Sequence, residues 1–183
     1  RVVVRSVGYD MTVEATEDKA VSMFGTYRVE TAKKTALLKN ADDIVTANQK
    51  GDTLYLNFKM LPDEMGPFNS QGIVAATILV PNDVKLEVVG NNDSLSLKPR
   101  TLVNDWNIES SSAVTVDVMK NSNMTVKTVG VDQLSGKEWK ITEEPKGEEL
   151  DAAGPKNAVY QSGDGKYLIH ISNAYEVKLN INQ

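Results

Sequence analysis

His170 is the single histidine of the chain, and there is no cysteine. A general base or a metal ion needs partner groups, and one imidazole without thiols cannot assemble the usual nitrogen and sulfur ligand sets. In the run Tyr167-Leu168-Ile169-His170-Ile171, alternation puts His170 with Leu168, opposite Tyr167, Ile169 and Ile171. That placement suits a structural or solvated imidazole. Ser110-Ser111-Ser112 lacks the Gly-x-Ser-x-Gly setting of an activated serine and reads as a turn. Gly163-Asp164-Gly165-Lys166 has the outline of a phosphate loop. However, Tyr160 stands where the first glycine belongs and Tyr167 where Ser or Thr would hold magnesium, so the segment reads as a hairpin turn.

Oxygen ligands for a hard cation could come from Asp42-Asp43, Asp63-Glu64 or Asn91-Asn92-Asp93. None follows the EF-hand alternation, and the glycine-rich calcium nonapeptide is missing. Asn and Asp are the ordinary residues of turns because they tolerate left-handed backbone. Two converging acids that cleave a glycoside remain an alternative, because sequence does not tell which acids meet in space. Trp106 and Trp139 could stack on a sugar or anchor a partner. Each shares a face with an aliphatic residue two places on, Ile108 and Ile141, which favours core filling. The chain therefore offers no residue to assign as catalytic, cofactor-binding or metal-ligating, and no cofactor is expected.

These residues are carried by a ladder of short alternating segments. Val84-Leu86-Val88, Leu95-Leu97, Trp106-Ile108, Val114-Val116-Val118 and Met124-Val126-Thr128 put an apolar residue or Thr at every second position. Turn-forming stretches separate them: Gly90 to Asp93, Lys98-Pro99-Arg100, Glu109 to Ser112 and Lys120 to Asn123. A period of two means one face meets a core and the other meets water. The centres Leu86, Leu97, Ile108, Val116 and Val126 recur at near-regular spacing. An all-β fold is expected, with short strands stacked as a β-solenoid-like or meandering sheet sandwich and at most one short helix.

Around the ladder, Val2-Val3-Val4, Met11-Val13-Ala15 and the run from Val21 through Val29 read as strands. Ala36, Leu37, Ala41, Ile44 and Val45 fit one stripe of a short helix or a packed loop. Ile44–Ala47, the turn Gln49 to Asp52 and Leu54-Leu56-Phe58 form a hairpin pattern. Residues 60–72, with Pro62, Gly66, Pro67 and Gly72, read as a loop, and Ile73 to Val80 as a central strand apolar on both faces. Trp139 and Ile141 mark a further strand, and 143–157, with five acids, an exposed loop. A final hairpin joins Ala158–Gln161 to Tyr167-Ile169-Ile171 through Ser162-Gly163-Asp164-Gly165, before Val177-Leu179-Ile181. The expected organisation is one β-rich domain over 1–183. Its parts are N-terminal strands to 72, the ladder over 73–142, the acidic loop 143–157 and the closing hairpin 158–183.

Composition narrows the classes further. Twenty Lys plus Arg against 25 Asp plus Glu leave a net charge of −5, which disfavours nucleic acid as a partner. Cysteine-free composition excludes disulfides and suits an exported domain. The longest nearly apolar stretch, Ile73 to Val80, is far short of the ~20 residues a spanning helix needs. The chain starts at Arg1 rather than Met, which is expected of a protein trimmed of a signal peptide or membrane anchor.

Several segments together resemble bacterial extracytoplasmic β-strand-repeat domains of the kind labelled putative adhesins or auto-transporter-adhesin head domains. They are Gln49 to Leu56, Ala76 to Val84 with its Val80-Pro81 strand end, Leu86 to Asp93, the repeats up to Thr128-Val129-Gly130, and Ser162 to Lys166. The resemblance covers roughly 44–130 and 158–183. It implies stacked strands, no catalytic signature and a location outside the cytoplasm, secreted or tethered. It also makes the acceptor-like Asn92-Asp93-Ser94 and Asn123-Met124-Thr125 coincidental. The expected role is a non-catalytic interaction or structural module, adhesin-like or the outer sensory part of an envelope protein. Its partner would be a protein or a cell-wall glycan surface, and a membrane would be reached only through an N-terminal anchor. The alternative is a carboxylate-based enzyme acting on polysaccharide.

Overall fold

The computed structural model describes residues 1–31, 41–59, 69–91, 94–143 and 155–182. Among them the chain runs through β1 (Val2–Val7), β2 (Asp10–Thr16), β3 (Ser22–Thr31), β4 (Val45–Lys50), β5 (Thr53–Phe58), β6 (Asn69–Pro81), β7 (Leu86–Asn91) and β8 (Ser94–Lys98). It continues through β9 (Trp106–Ser110), β10 (Ala113–Met119), β11 (Met124–Val131), β12 (Gln133–Ser135), β13 (Lys140–Glu143), β14 (Lys156–Ser162), β15 (Tyr167–Ser172) and β16 (Glu176–Asn182). The helical content of these residues is one 3₁₀ turn, Ala41–Asp43. No described helix is long and apolar enough to cross a membrane.

The strands form two mixed sheets. One has the order β13-β14-β11-β15-β9-β7-β1-β5-β4, the other β12-β16-β10-β8-β2-β6-β3. Their centres are parallel, and antiparallel strands flank them: β4 on β5 and β3 on β6 at one end, β14 on β11 at the other. Consecutive strands such as β7 and β8, or β9 and β10, lie in different sheets. The chain thus winds in rungs of two strands, one per sheet. The stacking order of the rungs is β5–β6, β1–β2, β7–β8, β9–β10, β15–β16, β11–β12.

In-register pairing turns the sequence alternation into continuous columns. Val2, Leu86, Trp106, Ile169 and Val126 align across the first sheet, as do Val4, Val88, Ile108, Ile171 and Thr128. In the second sheet Met11, Leu95, Val114 and Val177 align, beside Val13, Leu97, Val116 and Leu179. All are buried, and their apolar members belong to one cluster fed by both sheets. Because the period is two, the alternate residues line the outer faces.

Several local expectations are corrected. The segments 158–161 and 167–171 are not hairpin partners: β11 lies between β14 and β15, pairing antiparallel with one and parallel with the other. The region read as a loop to Gly72 already belongs to β6 from Asn69, paired to Thr31 of β3. Trp139 precedes β13 instead of sharing it, and Ile141 is 51% exposed. Its exposure follows from topology, since β14 and β13 extend the first sheet beyond β11 while the second ends at β12. Among the described residues no strand of the second sheet lies across from Ile141. Of the expected helical stripe, Ala36 and Leu37 fall outside the described residues, and Ala41 starts the 3₁₀ turn. The acidic stretch also falls outside them, apart from its ends Glu143 in β13 and Lys156 and Asn157 in β14. The hairpin β4–β5 is as expected, with Gly51 at φ 57 supplying the left-handed turn residue.

Candidate binding groove

The two edges of the stack are built differently. On one, the chain passes from the first sheet to the second within the same rung, through Gly8-Tyr9, Ser111-Ser112, Asp132 or Asn173 to Tyr175. On the other it returns and must advance to a new rung. Asn82 to Lys85 carry β6 past β1–β2 to β7, Pro99 to Asp105 carry β8 to β9, and Lys120 to Asn123 carry β10 past β15–β16 to β11. The connections 99–105 and 120–123 therefore leave neighbouring strands but enter strands separated by β15, so they diverge. A groove of about 920 Å³ opens between them.

Hydrogen bonds fix both walls. The 99–105 connection leans on 82–85: the Val103 N–H donates to the Asn82 carbonyl at 3.0 Å and the Asn104 amide to the Asp83 carbonyl at 2.8 Å. The 120–123 strap is tied to the rung that it crosses and to the end of β14. Lys120 N–H donates to the Asn182 carbonyl at 2.9 Å, Tyr167 N–H to the Asn123 carbonyl at 3.2 Å, and Ser162 Oγ to the Lys120 carbonyl at 2.7 Å.

The groove is apolar below and polar at its rim. Leu102 is buried beneath it, while Val103 and Met119 keep 44% and 41% of their surface exposed. Tyr167 adds an aromatic face, over which the Lys166 ammonium sits 5.1 Å from the ring centroid. Arg100 holds a left-handed backbone, φ 36, unusual for a residue with a side chain, and pairs with Glu14 at 2.8 Å. Asp117 accepts from the Asn180 amide at 2.8 Å. Among the described residues, Lys98 and the amides of Asn121 and Asn182 have no hydrogen-bond or ion-pair partner, and neither does the buried Ser122 Oγ. The arrangement can take an elongated molecule with an apolar part and charged or amide-bonding flanks.

The residues singled out from sequence lie elsewhere. His170 is on the outer face of the first sheet, its Nδ1 3.0 Å from Asn107 Oδ1. Partial burial, and then the charge of Lys127, lower its pKa from the ordinary 6.5. Trp106 fills the core at 1% exposure, as its alternation implied, and its Nε1 has no partner. Trp139 packs partly buried against the core and donates Nε1–H to the Ser135 carbonyl at 3.1 Å. Ser110 and Ser112 form a buried hydroxyl pair at 2.8 Å on the tight edge. Gly163 and Gly165, at φ 58 and 65, form a turn closed by Gly165 N–H on the Ser162 carbonyl. Among the calcium candidates, Asp63, Glu64, Asn92 and Asp93 fall outside the described residues, and Asp42 and Asp43 end the 3₁₀ turn. No group of three His, Cys, Asp or Glu gathers for a metal among the described residues. Asp83, hydrogen-bonded by Lys19 at 3.0 Å, has its pKa lowered by that bond.

Sequence reasoning missed the groove. Lys98-Pro99-Arg100 and Lys120 to Asn123 look like any solvated turn, and only the skipped rung makes their neighbourhood concave.

No family model and no curated protein matches the chain. A crystal structure of a putative cell adhesion protein from Clostridium sporogenes is similar with a TM-score of 0.49 at 12% identity, covering 98% of this chain and 90% of that one.

Proposed function

We propose that the protein is a non-catalytic interaction module acting outside the cytoplasm, adhesin-like, whose whole length folds as one β-rich unit. The groove on the crossover edge carries this reading, because it combines an apolar floor with unpaired amides and a cation on a rigid two-sheet frame. The described acids add support. Glu87 is engaged by Arg1 and Asp83 by Lys19 at separate places, while Glu14, paired with Arg100, and Asp117, bonded by Asn180, stand on either side of Lys98 across adjacent strands. A polysaccharide hydrolase would need two acids held a few ångströms apart, one with its pKa raised. The partner class is a protein or a wall glycan. The test is retention of the purified protein on isolated cell envelopes and on a glycan array, run beside a reducing-end assay with the same glycans. Saturable retention without new reducing ends is expected; release of reducing ends that follows protein concentration would overturn the reading.

A further inference from the structure

We infer that two copies of this chain exchange the rung β15–β16, each copy's residues 167–182 filling the slot between β9–β10 and β11–β12 of the other. The inference goes beyond the proposed function and does not depend on what the groove binds. Interchangeability is the first argument. β15 pairs with β9 and β11, and β16 with β10 and β12, whereas β14, from which the segment continues, pairs with β11 and β13. The described hydrogen bonds of 167–182 likewise end on residues 105–135. Leu168 N–H donates to Asp105 Oδ1 at 2.9 Å, the Asn180 amide to Asp117 at 2.8 Å and Tyr175 N–H to the Ser112 carbonyl at 3.2 Å. A second copy's rung makes each of these contacts unchanged. Ile169, Ile171, Ala174, Val177 and Leu179 are all buried, so a vacated slot bares core until such a rung refills it. The hinge is the second argument. Four residues, Gly163 to Lys166, carry the chain from β14 past the start of β11 to β15. They form a close-packed turn: Gly163 and Gly165 are left-handed, and a Cβ on Gly165 would stand 2.5 Å from Thr125 Oγ1 and 2.8 Å from the Gln161 side chain. Short, tight hinges invite exchange, because opening relaxes the turn while the other contacts are remade. Extended, the hinge spans about 17 Å from Ser162 to Tyr167, enough to reach a copy beside it at the crossover edge. Since Tyr167 and Asn182 line the groove, each groove of the exchanged pair is built from both copies.

The test refolds the full chain from urea at its highest soluble concentration and reads the share of dimer by light scattering on a sizing column. Exchange gives a dimer that persists on dilution, because releasing either rung means reopening both sheets. Gly165→Val, which the turn does not accommodate but an extended hinge does, should raise that share at least tenfold with an unchanged circular dichroism spectrum. Inserting Gly-Ser-Gly-Ser after Asp164 slackens the turn and should lower it at least tenfold. A dimer that falls apart at once on dilution, a share that neither change moves, or no dimer at all would overturn the inference. The origin of the rung is read with Lys127→Cys and His170→Cys placed on separate chains of this cysteine-free protein, at positions paired across β11 and β15. Refolding the two together should join them by a disulfide in several-fold higher yield than folding them apart and mixing. Equal yields would overturn the exchange even where a dimer forms, and this arm decides the matter if the Gly165→Val chain does not fold. Envelope retention by the undimerised fraction bears on the module reading alone, so the two readings fail separately.

Discussion

The tight edge and the crossover edge are made of the same short polar connections, yet one is sealed and the other is open. On the tight edge the described passages from the first sheet to the second stay within their rungs, and the connections bond to one another. Tyr175 N–H reaches the Ser112 carbonyl at 3.2 Å and Asn173 N–H the Val129 carbonyl at 3.1 Å. Backbones approach so closely there that a Cβ on Gly90 would overlap the Ser6 carbonyl oxygen. On the crossover edge, two of the three described connections that return from the second sheet to the first skip a rung, and the space between diverging loops becomes a groove. Concavity in this molecule comes from the order of winding and needs no special residue.

Substitutions can break or sharpen that contrast. Leu97→Asp, midway between the edges at 0% exposure, sets the upper scale: it buries a lone charge, and circular dichroism should show an unfolded chain. A native melting curve would mean that the inward face is misassigned. Gly90→Ala on the tight edge should cost over about 4 kcal/mol in urea denaturation, since the obstacle is backbone. Asn121→Ala on the other edge should stay within about 0.5 kcal/mol. Inserting Gly-Ser between Ser111 and Ser112, beside the buried Ser110–Ser112 hydroxyl pair, should destabilise by several kcal/mol; an unchanged melting temperature would show that this edge is not sealed. At the level of single hydroxyls the two edges should differ in sign. Ser110→Ala breaks a buried pair and should destabilise by about 1 kcal/mol, while Ser122→Ala removes an unpaired group and should leave stability equal or higher.

The smallest effect belongs to His170, away from both edges. Its folded pKa lies below the unfolded 6.5, so the unfolded chain binds the proton more readily. The associated stability is complete above pH 6.5 and declines as pH falls through 6.5 toward the folded value. His170→Gln should flatten that shallow decline in melting temperature between pH 7 and 5. A steeper decline in the variant would contradict the assignment.

The ladder was legible because it is a matter of period. Of the residues whose alternation points inward, Leu86, Val88, Leu95, Leu97, Trp106, Ile108, Val114, Val116, Val118, Met124, Val126 and Thr128 are buried, while Val84, which precedes β7, is only partly so. Adjacency was not legible. Alternation says which face a residue takes but not which strand lies beside it, so Ala158–Gln161 and Tyr167–Ile171 look like a hairpin although β11 separates them. Ile141 failed for the same reason, since its alternation is correct while the sheet opposite has already ended. The groove depends wholly on adjacency, which is why its lining residues passed for ordinary turns.

The position of β15–β16 has a consequence for how the protein is made. Its slot between β9–β10 and β11–β12 is bounded by strands that precede it in sequence. Neither sheet is continuous until residues 167–182 are delivered, so a polypeptide emerging from a ribosome or an export channel holds two unjoined halves with open edges. Closure is then a late, long-range event, slow in the manner of non-local β pairing. That delay leaves the fold without its final lock until the last two strands are in place.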